Sequence, residues 1–449
     1  MKYARLYICL LLLLNCGVNA IVSNAANAAE ANVNGEISGK TNNNVQIVQK
    51  DEVQALVLSN KTLPIVLINM DFLRAGSSYE NNAGIAQLTA SMLGEGAGKY
   101  SANQFNEELE QYAIEFGASA GRDNFSIQIK TLAENLPKAM ELLGAVLTEP
   151  HFADEDLQRI KIEQLAKIKA MNDNPAFHLQ QLFHQQAFDK HAYARSPHGD
   201  EASISAIKAA DLREFMQARL VQNNAKISIV GDVDETLVQN EILPYFAKLP
   251  KNNNAKTKLN EIIITQLDSA KNYKMDIPQS SINLVYAGIK RDDKLFYASY
   301  ILQHIIGGSS LSSKLGESLR EENGLVYGAN AGFAQLDYAN WFSASFATKS
   351  SQKDLVIKLA KQVIAKVAAG EITQQELQEA KDYLVGSFAL ETDSNGEKLQ
   401  YLSMMQRFGL GRDYLQQRNG LIEAVSLAQL QEVAKRLSGE PLMILSVGH

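Results

Sequence analysis

The 449 residues carry 43 Lys and Arg against 50 Asp and Glu, a formal net charge of −7, with 46% hydrophobic and 21% charged side chains. This is an ordinary soluble globular composition, and an acidic balance without a basic stripe argues against nucleic-acid binding. Both cysteines, Cys9 and Cys16, lie within the first twenty residues, so a chain shortened there has no Cys nucleophile, Cys-ligated zinc or iron–sulfur cluster.

Lys2 and Arg5 precede an apolar run, Leu6 to Leu14, and small and polar residues ending Val18-Asn19-Ala20. A basic start, a short apolar stretch and a small-x-small exit read as a signal peptide over residues 1–20. The run is well short of the ~20 residues of a membrane span. The expected location is therefore exported, in the periplasm of a Gram-negative bacterium. Cys16 after Leu13-Leu14-Asn15 is a weaker lipoprotein signature and the only expected route to a membrane. Loss of Lys2 and Arg5 leaves 41 basic against 50 acidic side chains, a net charge of −9. Residues 21–44, rich in Asn and Ala, read as a flexible lead-in.

The next segment, 45–249, mixes apolar strands with helical patterns. Leu63–Phe72 and Phe125–Ile129 read as strands. Ala139, Leu142, Leu143 and Val146 share one face of a helix opening near Asn135. Arg74 to Glu80 is a strand end entering a polar loop, and 84–97, GIAQLTASMLGEGA, follows as a helix. Ile85, Leu88 and Met92 mark its buried face, while Gln87 and Ser91, four apart, share another. The seven histidines include no i, i+4 pair, and His178 and His184 sit six apart on a helical stretch. They read as surface or loop histidines, and no Gly-x-Ser-x-Gly elbow marks a serine nucleophile.

The chain then repeats itself. Leu157 and Lys161 in Ala153–Leu165 align with Leu377 and Lys381 in Thr373–Leu384, 220 residues on. Ile204, Ile207 and Leu212 match Ile422, Val425 and Leu430, and apolar strands end in Val230-Gly231 and Val447-Gly448. A repeat of this length means duplicated domains rather than a solenoid. Leu249-Pro250 and the Asn run after it place a linker at 250–258, with the second domain over 259–449. Strands and helices interspersed without regular alternation predict an α+β fold, each half a mainly antiparallel sheet covered on one face by helices.

In the second half, 307–333 reads GGSSLSSKLGESLREENGLVYGANAGF. Ser309 or Ser310 is expected to cap a helix with Leu311, Leu315 and Leu319 as its apolar stripe. Asn323-Gly324 then ends the helix. A strand is expected from Leu325, with Tyr327 facing opposite to Val326 and Arg320 in the last helical turn. A bland reading leaves Arg320 on a solvated face and Tyr327 in the core.

These segments resemble the pitrilysin/insulinase-type zinc metallopeptidases (inverzincins). In that family a strand and a Gly-Ser loop precede a helix whose two His bind zinc and whose Glu activates water. Gly84, Ala86, Met92 and Gly96 match that helix, but Gln87, Ala90 and Ser91 stand at the first His, the Glu and the second His. The remaining family ligand would fall near Glu163, and one carboxylate does not hold a zinc. No metal is therefore expected in this chain. The resemblance also implies two homologous domains forming half of a clamshell chamber. It makes Arg320 and Tyr327, six residues intervening, the pair that reaches substrate, with Gly307, Gly308 and Ser309 as substrate-binding flanks.

In two-chain members one subunit carries zinc and the other the Arg–Tyr pair. The chain is accordingly expected to be a non-catalytic subunit. Its expected partner is a zinc-bearing paralogue, and its expected substrate a peptide or small unfolded protein. The alternatives are a stand-alone peptide-binding or assembly protein on the same fold, and an enzyme with an unrecognised site.

Overall fold

A computed structural model describes residues 44–251, 258–265, 270–308, 312–439 and 441–449. The expected signal peptide with Cys16, nearly all of the lead-in, the linker residues 252–257 and Ser309–Leu311 lie outside them. Among the described residues no helix is long and apolar enough to cross a membrane.

The first half supplies six strands: β1 (Gln46–Lys50), β2 (Val53–Ser59), β3 (Ile65–Leu73), β4 (Glu115–Ala120), β5 (Asn124–Leu132) and β6 (Ala225–Gly231). The second supplies β7 (Lys271–Tyr273), β8 (Gln279–Ala287), β9 (Ala329–Leu336), β10 (Ala339–Lys349) and β11 (Met443–Val447). One sheet runs β1-β2-β6-β3-β5-β4 and the other β7-β11-β8-β10-β9. Apart from the extra β1, the two orders are the same, each with a single parallel pair, β2 with β6 and β7 with β11. The fold is α+β and duplicated, as the sequence repeat implies.

The repeated residues have matching tasks. Lys161 and Lys381 are both buried, and their ammonium groups donate to the carbonyls of Ser205 and Glu423, 3.0 and 2.8 Å away, at equivalent helix ends. Gly231 and Gly448 end β6 and β11 at φ 140° and 126°, a region that disfavours side chains. A Cβ on Gly231 would overlap the Ile65 carbonyl, and one on Gly448 would lie 2.8 Å from Ser280 Oγ. Helix Leu136–Thr148 buries Ala139, Leu142, Leu143 and Val146, as their spacing predicts.

One expectation is corrected: each sheet is covered on both faces. Ile227 and Ile229 of β6 face helices of their own half, including Leu88, Leu142 and Leu212. Val230, with Leu56 and Leu58 of β2, faces the other way and meets Leu399, Leu402 and Met405 of helix Asn395–Phe408 from the second half. The exchange is reciprocal. Phe183, Ala187 and Phe188 of helix Pro175–Phe188 cover Val285, Met443 and Leu445 of the second sheet. His178 and His184 ride on this exchanged helix, so they are buried core histidines rather than surface or loop ones.

Polar groups pin the exchange. Asn69 donates to Ser403 Oγ at 2.7 Å, and the Gln406 amide donates to the Ile227 carbonyl. Arg407 bridges Asp123 of the first half, at 3.1 Å, and Asp337 of the second, at 3.0 Å.

Candidate functional site

Helix Ile85–Met92 forms where predicted, with Ile85, Leu88 and Met92 buried, Gln87 half-buried and Ser91 exposed. Glu80 organises its start: the buried carboxylate accepts from Gly84 N at 2.8 Å and Ala86 N at 2.7 Å. These bonds satisfy donors that a helix start leaves open. Burial pushes the Glu80 carboxyl up to about 7, against the opposing pull of those two N–H groups.

The three degenerate positions are otherwise engaged or inert. Gln87 Nε2 donates to the Ala120 carbonyl at 2.6 Å, turning its amide toward β4. Ala90 is buried and has no group to accept a proton. Glu163, on helix Asp154–Met171 and near where the resemblance puts the remaining ligand, pairs with Arg159 at 3.0 Å. Arg159 also pairs with Glu95 and with Asp156, the latter at 3.5 Å. A guanidinium is thus shared among the three carboxylates Glu95, Asp156 and Glu163. The residues present do not fit zinc: a carbonyl-bound amide, a hydroxyl and an arginine-paired carboxylate are a poor donor set. Among the described residues no cluster of three metal-ligating side chains occurs anywhere. Arg159 was missed from sequence, although its i, i+4 spacing to Glu163 is a readable helix pair.

The second-half motif is a rigid turn. Ser313 caps it by accepting from Gly316 N, while the expected caps Ser309 and Ser310 lie outside the described residues, and the helix runs Lys314–Gly316 before a π-wound stretch, Glu317–Glu322. Leu315 and Leu319 are fully buried. Gly324, at φ 61°, closes the end: its N–H donates to the Arg320 carbonyl at 3.0 Å, and Leu325 N–H to Leu319 O at 2.9 Å. The 5→1 bond from a left-handed Gly324 to Arg320 is the αL cap. Thr348 Oγ1 of β10 then donates to the Leu325 carbonyl at 2.7 Å.

The strand itself begins at Ala329 rather than Leu325, because Leu325 bonds back to the helix and to Thr348 instead of to a neighbouring strand. Tyr327 still faces opposite to Val326, without a ladder. Leu325 and Val326 are buried, and Tyr327 is 86% exposed. The core placement in the bland reading therefore fails for Tyr327. Arg320 is half-buried in the last turn, and among the described residues no hydrogen bond or ion pair holds its guanidinium. Gly307 is buried under β9, where a Cβ would come within 2.5 Å of Ala331 N, and packing accounts for its missing side chain. Gly308 is half-buried, and a Cβ there would lie 2.9 Å from His304 Nδ1.

Burial holds His184 well below its ordinary value, and burial with Lys167 and Arg122 lowers His198 to about 4. Both are neutral at neutral pH.

Two family models match, the insulinase peptidase model (Peptidase family M16) over residues 56–201 and the model described as the peptidase M16 inactive domain over 206–384. The chain belongs to the insulinase (M16) peptidase family. Within it, the match to the inactive-domain model marks a non-catalytic member. A relative from Helicobacter pylori named a non-peptidase homolog, YmxG, is 26% identical over 87% of this chain and 90% of its own. An uncharacterized zinc protease YmxG of Bacillus subtilis is 20% identical over 86% and 94%. A solved M16 inactive domain from Pseudomonas fluorescens superposes with a TM-score of 0.84 at 26% identity, covering 90% of this chain and 98% of that one. A protease structure from Helicobacter pylori shares the fold at a TM-score of 0.77 and 18% identity, over 90% and 99%.

Proposed function

We propose that this protein is the non-catalytic subunit of an exported two-chain zinc metallopeptidase, lending Arg320 and Tyr327 to the active site of a zinc-bearing paralogue. The observation that carries this reading is Tyr327, a phenol 86% exposed on a backbone fixed by buried Leu325 and Val326. Among the described residues no hydrogen bond or ion pair of Tyr327 accounts for that projection. A guanidinium and a phenol on one helix–turn segment are hydrogen-bond donors suited to a peptide carbonyl and to the oxyanion it becomes. The zinc belongs to the partner, since Gln87, Ser91 and an Arg159-paired Glu163 do not fit it. The basic and apolar N-terminal pattern supports export to a periplasm, with attachment at Cys16 the membrane-bound variant. The substrate is an extended peptide or small unfolded protein, and closure of the two subunits over it forms the chamber.

Co-purification with the zinc-bearing paralogue and hydrolysis of an unfolded protein by the complex test the proposal. Arg320→Ala and Tyr327→Phe are expected to lower kcat/KM by about 10²–10³, the effect of removing an oxyanion-hole donor, while leaving the complex assembled. The chain alone is expected to hold less than stoichiometric zinc. A complex that cleaves at an unchanged rate with both substitutions refutes the role of the pair. It would favour the second reading, a stand-alone peptide-binding protein, for which the open edge of β4 is the supporting observation.

A further inference from the structure

β4 and β9 are the outer strands of their sheets on the same relative side. In β4, Gly121 N–H donates to the Asn124 carbonyl at 2.8 Å, so odd-numbered residues face β5. The backbone groups of Phe116, Ala118 and Ala120 therefore point out of the sheet, where no strand follows. Among the described residues nothing bonds those of Phe116 and Ala118. The outward carbonyl of Ala120 is taken by Gln87 Nε2 at 2.6 Å.

The second half carries the same device with the polarity reversed. Phe333 N–H of β9 donates to Gln303 Oε1 at 2.9 Å, from helix Phe296–Gln303. That edge is closed further, because Gly307 sits against Ala331 too tightly to admit a Cβ. At β4 the backbone groups of Phe116 and Ala118 stay free at strand spacing, and that open length ends at Gln87.

We infer that Gln87 is a register stop for a peptide strand added to β4: it holds the last outward carbonyl, so the added strand pairs with Phe116 and Ala118 and goes no further. This rests on the reading of an extended peptide as the ligand. The ligand class is a backbone in β conformation, recognised through its N–H and C=O groups and little by side chains. Gln87 is positioned to act because its helix cannot shift: Ile85, Leu88 and Met92 are buried, and Glu80 holds the helix start. The position that would carry the first metal ligand has become a fixed amide that trims the docking edge.

The test is fluorescence anisotropy of the full chain with a labelled ten-residue peptide of alternating Thr and Lys, whose peptide bonds are N-methylated one at a time. For the wild type, affinity is expected to fall at alternate positions over a short segment. In Gln87→Ala, affinity is expected to rise by up to about tenfold, the value of one freed hydrogen bond. One further position, two residues along, becomes sensitive to methylation as the peptide reaches Ala120. Gln87→Met, which keeps the length and removes the amide, gives the same pattern and guards against a packing effect. If both variants bind with wild-type affinity and an unchanged methylation pattern, Gln87 is not a stop, and a lowered melting temperature alone marks it as structural. If the peptide binds neither wild type nor variants, the peptide-docking reading fails, and this inference with it.

Discussion

Arg407→Met removes the one cation that joins Asp123 to Asp337 across the two halves. Asp123 is 2% exposed and accepts from Tyr193 OH at 2.6 Å, Asp337 N at 2.9 Å and Arg407 at 3.1 Å. Burial, and then the neighbouring Asp337 charge, pushes its carboxyl from 3.8 up to about 6 in spite of those bonds. A folded value above the unfolded one means that folding favours the protonated acid. Its contribution is complete below pH 3.8 and is lost as pH rises through about 6, a swing of about 3 kcal/mol. Without Arg407 the ionised pair has no counter-charge, and breaking a buried pair from one side costs about 3–5 kcal/mol. The expected loss is of that size at pH 7.5 and falls to about 1–2 kcal/mol at pH 5, where a mostly neutral Asp123 loses only hydrogen bonds. Urea unfolding of wild type and variant at both pH values measures it, with Arg407→Met/Asp123→Asn expected to recover most of the loss at pH 7.5. Equal losses at the two pH values would refute the assignment of the seam's cost to the Asp123 charge.

The duplicated glycines and the lost metal site supply the other expectations. Gly231→Ala should cost more than about 4 kcal/mol or prevent folding, because its Cβ would lie 2.0 Å from the Ile65 carbonyl; Gly448→Ala, whose nearest backbone atom is the Gln279 carbonyl at 2.9 Å, should cost clearly less in the same urea titration. Restoring the family ligands as Gln87→His/Ala90→Glu/Ser91→His should give less than one zinc per chain by metal analysis, since Glu163 stays paired with Arg159. Adding Arg159→Ala should raise the zinc content. Full zinc uptake by the triple variant would show that Arg159 does not compete for the carboxylate.

Much of the fold was readable because the repeat places equal residues at equal tasks. Lys161 and Lys381 stood out as a coincidence of sequence, and both prove to cap helix ends. The Val-Gly pairs recur because β6 and β11 each end against the backbone of the strand beside them. The helix at Ile85–Met92 and the turn after Arg320 were legible from local chemistry, apolar spacing in one and Asn-Gly in the other. The strand start was misplaced at Leu325 because Leu319 O and Thr348, 6 and 23 residues away, claim its backbone groups.

The sequence by itself determined the duplication and the α+β class, and it displays Gln87, Ala90, Ser91, Arg320 and Tyr327, the residues on which the proposed function rests. All of these rest on residue identity and short-range periodicity, which one chain displays directly. Only the tertiary structure decided that helices Pro175–Phe188 and Asn395–Phe408 trade places, that Arg159 occupies Glu163, and that Gln87 clips the edge of β4. An amphipathic pattern says that a helix has an apolar side, not which half of the molecule will cover it. Equally, which backbone carbonyls of a strand lack a partner depends on sheet order, a relation between segments far apart in the chain.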